Sequence, residues 1–349
     1  MFRKKLILIA ISVVCIASSA GCTLRQANAS ETNSKKQIKV ISSSNKELYN
    51  TIALEKIDRY ENIRSMDWLN EDKILIVKDN INLGKSSELD DSTKTYNQNI
   101  YLYDLKDKSE KLLCGEAFNH GNAQFSQDKK YIFYNRVQNI DLAATGFVTT
   151  PGGNKSIKVT DENNIFSFEG TWADNEHVIY RTMEGKIYLT DVNGKATEIV
   201  DTKAKNVSNV SKVGSKVYYT IDGKMFVYDL STKQTKTLKE NVLWLIPSPD
   251  NTQFAMVKRT GETKMTLLIT DLDGNEKASL AEGIQIFGTS WSPNQKNIAY
   301  TVTSGERGKN GLFVSDVETK KITQLSPDMQ DISDSIKWSP SSKKCYFLV

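Results

Sequence analysis

Beyond its opening stretch the chain is a succession of short apolar runs, each about four to six residues long. They are rich in Tyr, Ile, Val and Phe and are bounded by Gly, Asp, Asn, Ser or Pro. No helical period is sustained downstream of the first two dozen residues, so the elements predicted are strands joined by turns. The runs recur in two alternating forms, and that recurrence dictates the architecture.

The first form is an apolar strand that ends in Asp. It stands as Ile100-Tyr-Leu-Tyr-Asp104, Ile187-Tyr-Leu-Thr-Asp191, Met225-Phe-Val-Tyr-Asp229, Leu267-Leu-Ile-Thr-Asp271 and Leu312-Phe-Val-Ser-Asp316. The steps between these aspartates are 87, 38, 42 and 45 residues, so one copy belongs in the first, doubled interval. Phe147-Val-Thr-Thr150 fits there, and Ile38-Lys-Val-Ile-Ser42 reads as a degenerate first copy. The second form is an aromatic or apolar residue, a Ser/Pro/Asx turn and a β-rich run. It begins at Trp68, Phe125, Trp172, Ile246, Trp291 and Trp338, with a weak copy at Val213.

Each form therefore occurs seven times. Two hairpins per repeat, at roughly 45 residues each over 37–349, describe the four-stranded blade of a β-propeller. An all-β, seven-bladed ring is expected, closed by pairing an N-terminal hairpin (about 38–57) with a C-terminal one (about 336–349), which removes open sheet edges. Six blades are the alternative, if 38–57 stand outside the ring.

Trp291-Ser-Pro-Asn294 followed by Ile298-Ala-Tyr300, and Trp338-Ser-Pro340, resemble the Trp-Ser-Pro-Asp-Gly repeat of TolB-type propellers. The resemblance extends over nearly all of 37–349, although no copy here has Gly after the Asx position. It implies a propeller fold and, less specifically, an envelope-associated scaffold that binds proteins, because the repeat builds blades and not a site.

The opening residues assign a compartment. Met1-Phe-Arg-Lys-Lys5 is followed by an apolar run from Leu6 to Ala17 and by Ser18-Ser-Ala-Gly-Cys22, the order of a secretory leader. The run is shorter than the roughly 20 residues of a membrane-spanning helix. Ser19-Ala-Gly-Cys22 resembles the bacterial lipobox, so 1–21 is expected to be removed and Cys22 acylated. The weakly apolar segment 22–36 reads as a tether. The expected location is the outer face of a cell membrane, held by lipid.

Charge then changes meaning. The formal net charge is +4, but Arg3, Lys4 and Lys5 leave with the leader. No basic block remains for nucleic acid, which is excluded as a partner. Cys15 leaves as well; Cys114 and Cys345 are read as two separate thiols in strands.

Candidate chemistry is sparse. Asp104, Asp191, Asp229, Asp271 and Asp316 read as turn-forming residues, since an Asp side chain bonds its own backbone two residues on. Asp271-Leu-Asp-Gly-Asn275 with Glu282 begins like a calcium loop, but Glu276 stands where the sharp turn needs Gly. Gly288-Thr-Ser290-Trp-Ser292 and Gly84-Lys85-Ser86 are incomplete versions of a nucleophile elbow and a phosphate loop. The two histidines, His120 and His177, read as a residue in a connecting loop and one beside a strand. No metal, no cofactor and no catalytic residue are assigned, and a non-enzymatic module is expected. The features that exceed blade needs are three connections, Lys78–Gln98, Asn135–Gly146 and Ser304–Asn310. The first is polar and carries Lys85, Glu88, Asp90, Asp91, Lys94 and Tyr96. They should share one rim of the disc, where a protein or peptide is expected to dock. The alternative is a carbohydrate or cell-wall ligand, bound or turned over at the channel mouth.

Overall fold

A computed structural model of the chain describes residues 64–84, 96–137, 142–153, 155–305, 310–327 and 336–346. The leader, Cys22, the tether, residues 38–57 and the acidic and basic residues 85–94 lie outside the described residues.

The described chain is all-β, apart from one turn of 3-10 helix at Ile81–Leu83. Its strands form six antiparallel four-stranded sheets, each ordered as in the sequence. Blade 1 is Arg64–Trp68, Lys73–Asp79, Gln98–Asp104 and Ser109–Cys114. Blade 2 is Asn119–Phe125, Ile132–Val137, Ala143–Thr149 and a fourth strand in two pieces, Ile157–Lys158 and Ile165–Phe166. Blades 3, 4, 5 and 6 open at Thr171, Val207, Val242 and Gln285.

The expectation of seven blades is corrected to six. The hairpin Lys337–Trp338 with Cys345–Tyr346 forms a two-stranded sheet and not a full blade. The other half of the expected seventh blade, 38–57, lies outside the described residues. The hairpin packs against the first strands of both blade 6 and blade 1, which brings the ring back on itself.

The core is a set of layers between successive sheets. One cluster joins Leu75, Val77 and Ile100 of blade 1 to Ile132 and Tyr134 of blade 2. Ile74 and Ile76 of the same strand enter a different cluster with Trp68. Alternate residues of a second strand therefore fill opposite layers, and such strands read as unbroken apolar runs.

The repeated residues are the joints of this ring. Four tryptophans end first strands and donate Nε1–H to a carbonyl on the first strand of the preceding sheet. Trp172 reaches Gln124 at 3.0 Å, Trp291 reaches Ile246 at 3.2 Å, and Trp338 reaches Ser290 at 3.1 Å. Trp68 completes the circuit, donating to the Lys337 carbonyl at 3.2 Å.

The buried serine of each turn works within its own hairpin. Ser126, Ser248 and Ser292 donate Oγ–H to Asp128, Asp250 and Asn294 at 2.8, 2.6 and 2.7 Å. The same oxygens accept the N–H of Tyr131, Gln253 and Asn297, five residues on. The five aspartates behave likewise at the opposite hairpin. Asp229 Oδ1, for example, accepts from the amides of Ser231 and Thr232 at 2.8 and 3.1 Å.

Where the TolB-type repeat that these turns resemble has Gly, this chain has other residues in the left-handed region: Lys129 at φ 63°, Gln295 at 63° and Ser342 at 62°. The other hairpin makes the same demand at Lys108, Lys233 and Lys320. Side chains resist this conformation and glycine does not. Lys233→Gly, at an exposed position, should therefore raise stability by about 0.5–1 kcal/mol. Urea unfolding checks this, and a loss of stability would show that the turn carries no strain.

Candidate functional site

The two faces of the ring differ. One carries the tight turns between first and second and between third and fourth strands. The other carries the second-to-third connections and the links from blade to blade; it is called the loop face below. Lys78–Gln98, Asn135–Gly146 and Ser304–Asn310 all join a second strand to a third, so they share the loop face as expected. Asn135–Val137 and Ala143–Gly146 are strand, however, so the blade 2 connection is only 138–142.

Of the eight exposed large apolar side chains among the described residues, Leu112, Trp244 and Ile322 lie in strands and the other five lie in connections of this face. Ile81 and Leu83 sit in the blade 1 connection, Leu142 in that of blade 2, Phe168 between blades 2 and 3, and Ile284 between blades 5 and 6. Phe168 is 63% exposed and stacks on Phe166, with ring centroids 5.6 Å apart. No exposed large apolar residue falls in a tight turn of the opposite face among the described residues. Scattered apolar surface is ordinary; apolar side chains collected on one face mark interaction sites.

Side-chain amides brace two of the blade links, one of which presents Phe168. Buried Asn99 donates to the carbonyls of Glu116 and Phe118 at 3.1 and 3.0 Å. Buried Asn135 reaches those of Ser167 and Glu169, and Asn122 reaches Glu169 and Gly170. The blade links are thus tied to strands by their own carbonyls. Sequence reading missed these asparagines, whose type and spacing resemble those of surface turns.

Two ion pairs stand on the same face. Arg181, at the end of the blade 3 second strand, donates Nε–H to Glu169 at 2.9 Å, both nearly buried, and lies 4.5 Å over the Phe166 ring. Arg136 stands one residue beyond the equivalent place in blade 2, which Asn135 holds, and donates Nη1–H to Glu116 at 3.0 Å. The His120 imidazole, 4.0 Å away, and the Arg136 guanidinium hold the Glu116 carboxyl well below its ordinary range, at about 2, against the opposing effect of burial. Arg136 is the closer partner; a 4.0 Å separation is too long for a hydrogen bond.

A folded-state value below the unfolded one means that the contribution of Glu116 is complete above about pH 4.5 and is lost as the pH falls towards 2. Glu116→Gln should cost about 1–2 kcal/mol at neutral pH once solvent screening is discounted. The gap between the two proteins should narrow as acid is added. Urea unfolding across that range checks this; a gap independent of pH would assign the role to packing.

The histidines are placed differently from expectation. His120 lies in the first strand of blade 2, not in a loop, and is buried with neither ring nitrogen hydrogen-bonded. Its ring packs on Tyr134 with centroids 5.0 Å apart. His177 opens a strand and contacts Asp174 at 2.8 Å. Asp271 and Glu282 sit at opposite ends of the blade 5 outer hairpin, and Glu282 pairs with Lys264. Ser290 is a first-strand residue of blade 6, and Gly84 closes the 3-10 turn. Cys114 and Cys345 are free thiols, and burial pushes Cys345 up to about 11.

No protein-family model matches the chain. Over 112 residues, 29% of its length, it is 31% identical to dipeptidyl-peptidase 5 of Porphyromonas gingivalis, and the match spans 16% of that protein. An oligogalacturonate lyase in complex with manganese shares the fold at a TM-score of 0.59 and 12% identity, over 79% of this chain and 82% of the other. TolB from Acinetobacter baumannii is also among the structural neighbours, with a TM-score of 0.48 and 17% identity, over 80% and 71% of the two chains.

These matches overturn the expectation of a non-enzymatic chain, since a peptidase and a lyase stand among its likenesses. That expectation rested on the absence of local motifs, whereas a propeller assembles side chains from blades far apart in sequence. Among the described residues no three of His, Cys, Asp and Glu are gathered to hold a metal ion such as the manganese of the lyase complex. The chain is a β-propeller of four-stranded blades whose neighbours include both TolB and enzymes.

Proposed function

We propose that this protein captures a polypeptide on its loop face while held to the outer surface of a bacterial membrane by lipid on Cys22. The observation that carries the reading is the exposure of Ile81, Leu83, Leu142, Phe168 and Ile284 on that one face. Apolar anchors on braced backbone lose little freedom on binding, so most of their burial is retained as affinity. The likeness to a dipeptidyl-peptidase supports a peptide as the class of ligand. The leader and the Ser19-Ala-Gly-Cys22 sequence support the anchor.

The test is a cross-linked pull-down from envelope extract with the full chain as bait and a Leu142→Ser/Phe168→Ser variant as control. A protein enriched by the first should be lost from the second, with affinity reduced about 30-fold or more if both side chains are central to the interface. Equal capture by the two baits would refute the loop face as the docking surface. Retention of wall or sugar material in place of protein would move the site to the channel mouth. The eluted partner is also examined for new termini, which reads any turnover directly. Labelling cells with a fatty-acid analogue tests the anchor, and equal labelling of wild type and Cys22→Ala would remove it.

A further inference from the structure

Between the outer strand of blade 1 and blade 2 lies an open cleft of about 420 Å³, whose lining includes none of the exposed apolar residues of the loop face. Leu113 and Phe147 form apolar parts of its wall, and Glu116, Arg136, Lys155 and Ser156 supply the polar ones.

Arg136 is held in an unusual way. Its guanidinium lies 4.6 Å from the Phe118 ring and 4.5 Å from the Phe147 ring, so aromatic groups fix it flat. One Nη1–H goes to Glu116, and no other hydrogen bond of the guanidinium is found among the described residues. A planar fork, clamped and with donors to spare, is pre-organised for a planar oxyanion taken by two parallel bonds. Exposed Lys155 lines the same cleft with no side-chain partner among the described residues. Ser156 Oγ accepts from the Tyr134 hydroxyl at 2.9 Å, which leaves its own proton to donate.

Glu116 decides the charge of the ligand. Its carboxylate already neutralises part of Arg136 and would repel a second negative charge at the same place. A monoanion fits this balance and a phosphate dianion does not. The apolar wall beside the cations favours a ligand with a hydrophobic or ring-shaped body next to its acid group.

We infer that the cleft between blades 1 and 2 binds a small monocarboxylate, its acid group held by Arg136, Lys155 and Ser156 and its body lying on Phe147 and Leu113. Two sources of such a group are a peptide C-terminus and a sugar acid, and the probes separate them.

The full chain is titrated calorimetrically with N-acetylphenylalanine, its neutral amide, galacturonate and inorganic phosphate. At least one carboxylate should bind at about millimolar concentration or better. The amide should bind about tenfold more weakly than N-acetylphenylalanine if the peptide terminus is the source. Tighter binding of galacturonate assigns the sugar acid. Arg136→Gln should weaken the preferred carboxylate about tenfold or more, and Lys155→Gln, at an exposed position that keeps the fold, about threefold. Leu142→Ser/Phe168→Ser should leave this binding unchanged, which separates the cleft from the exposed apolar side chains of the loop face. The inference is overturned if neither carboxylate binds, if phosphate binds more tightly than both, or if Lys155→Gln and a folded Arg136→Gln both bind like wild type.

Discussion

Trp68→Ala should lower the stability of the ring by about 3–5 kcal/mol, the range for removing a large buried aromatic side chain. Trp68 is 1% exposed and packs with Ile74, Ile76, Tyr101 and Tyr103. Its Nε1–H also bonds the Lys337 carbonyl, 269 residues away, at the seam where the last hairpin meets blade 1. Glu71 reinforces the seam by accepting the Ser341 amide at 2.7 Å. Trp68→Phe keeps most of the buried ring and loses only the hydrogen bond, so it should cost about 1–2 kcal/mol, including the carbonyl left without its partner. Urea unfolding of the two variants separates packing from the staple. A cost below about 1 kcal/mol for Trp68→Ala would mean that ring closure does not depend on this seam.

Removing Arg181 should be as damaging for a different reason. Glu169 is nearly buried, and desolvation raises its carboxyl above the ordinary value of 4.5 in spite of the charge on Arg181. A raised folded-state value means that this group favours the fold at low pH and that the benefit is lost as the pH rises through that value. The pair is therefore a poor source of stability, yet its parts are interdependent. Arg181→Ala strands a buried carboxylate and should cost about 3–5 kcal/mol at neutral pH, and less in acid. Arg181→Met with Glu169→Leu removes both charges and should recover most of that loss. Equal destabilisation by the single and double substitutions would show that the Phe166–Arg181 stack, and not the charge, holds this corner.

Much of the ring was legible from residue types. Asp229 ends a strand and accepts the amides two and three residues on, a local geometry that a tetrapeptide already contains. Ser292 and Asn294 close their turn in the same local way. The run Ile74-Leu-Ile-Val77 reads as a strand, and its alternate residues enter different layers. The tryptophans were legible as repeat markers but not as staples, because a carbonyl 45 or 48 residues away has no signature of its own.

Other features had no local signature at all. His120 reads as a loop residue, whereas it and the Gly121-Asn122 that follows belong to a strand, with Asn122 at φ 48° within a register shift. The aromatic clamp on Arg136 draws Phe118 and Phe147 from either side of it in sequence, and only the packing of strand on strand closes it.

By itself the sequence determined the strands, the turn chemistry and the repeat, because each depends on contacts within a few residues or on a periodicity that local burial imposes. Tertiary structure alone decided the number of complete blades, which carbonyl each tryptophan meets, and which charges end up buried together. Those depend on how sheets pack face to face around a ring, where the partners of a residue lie one blade, or the whole circuit, away.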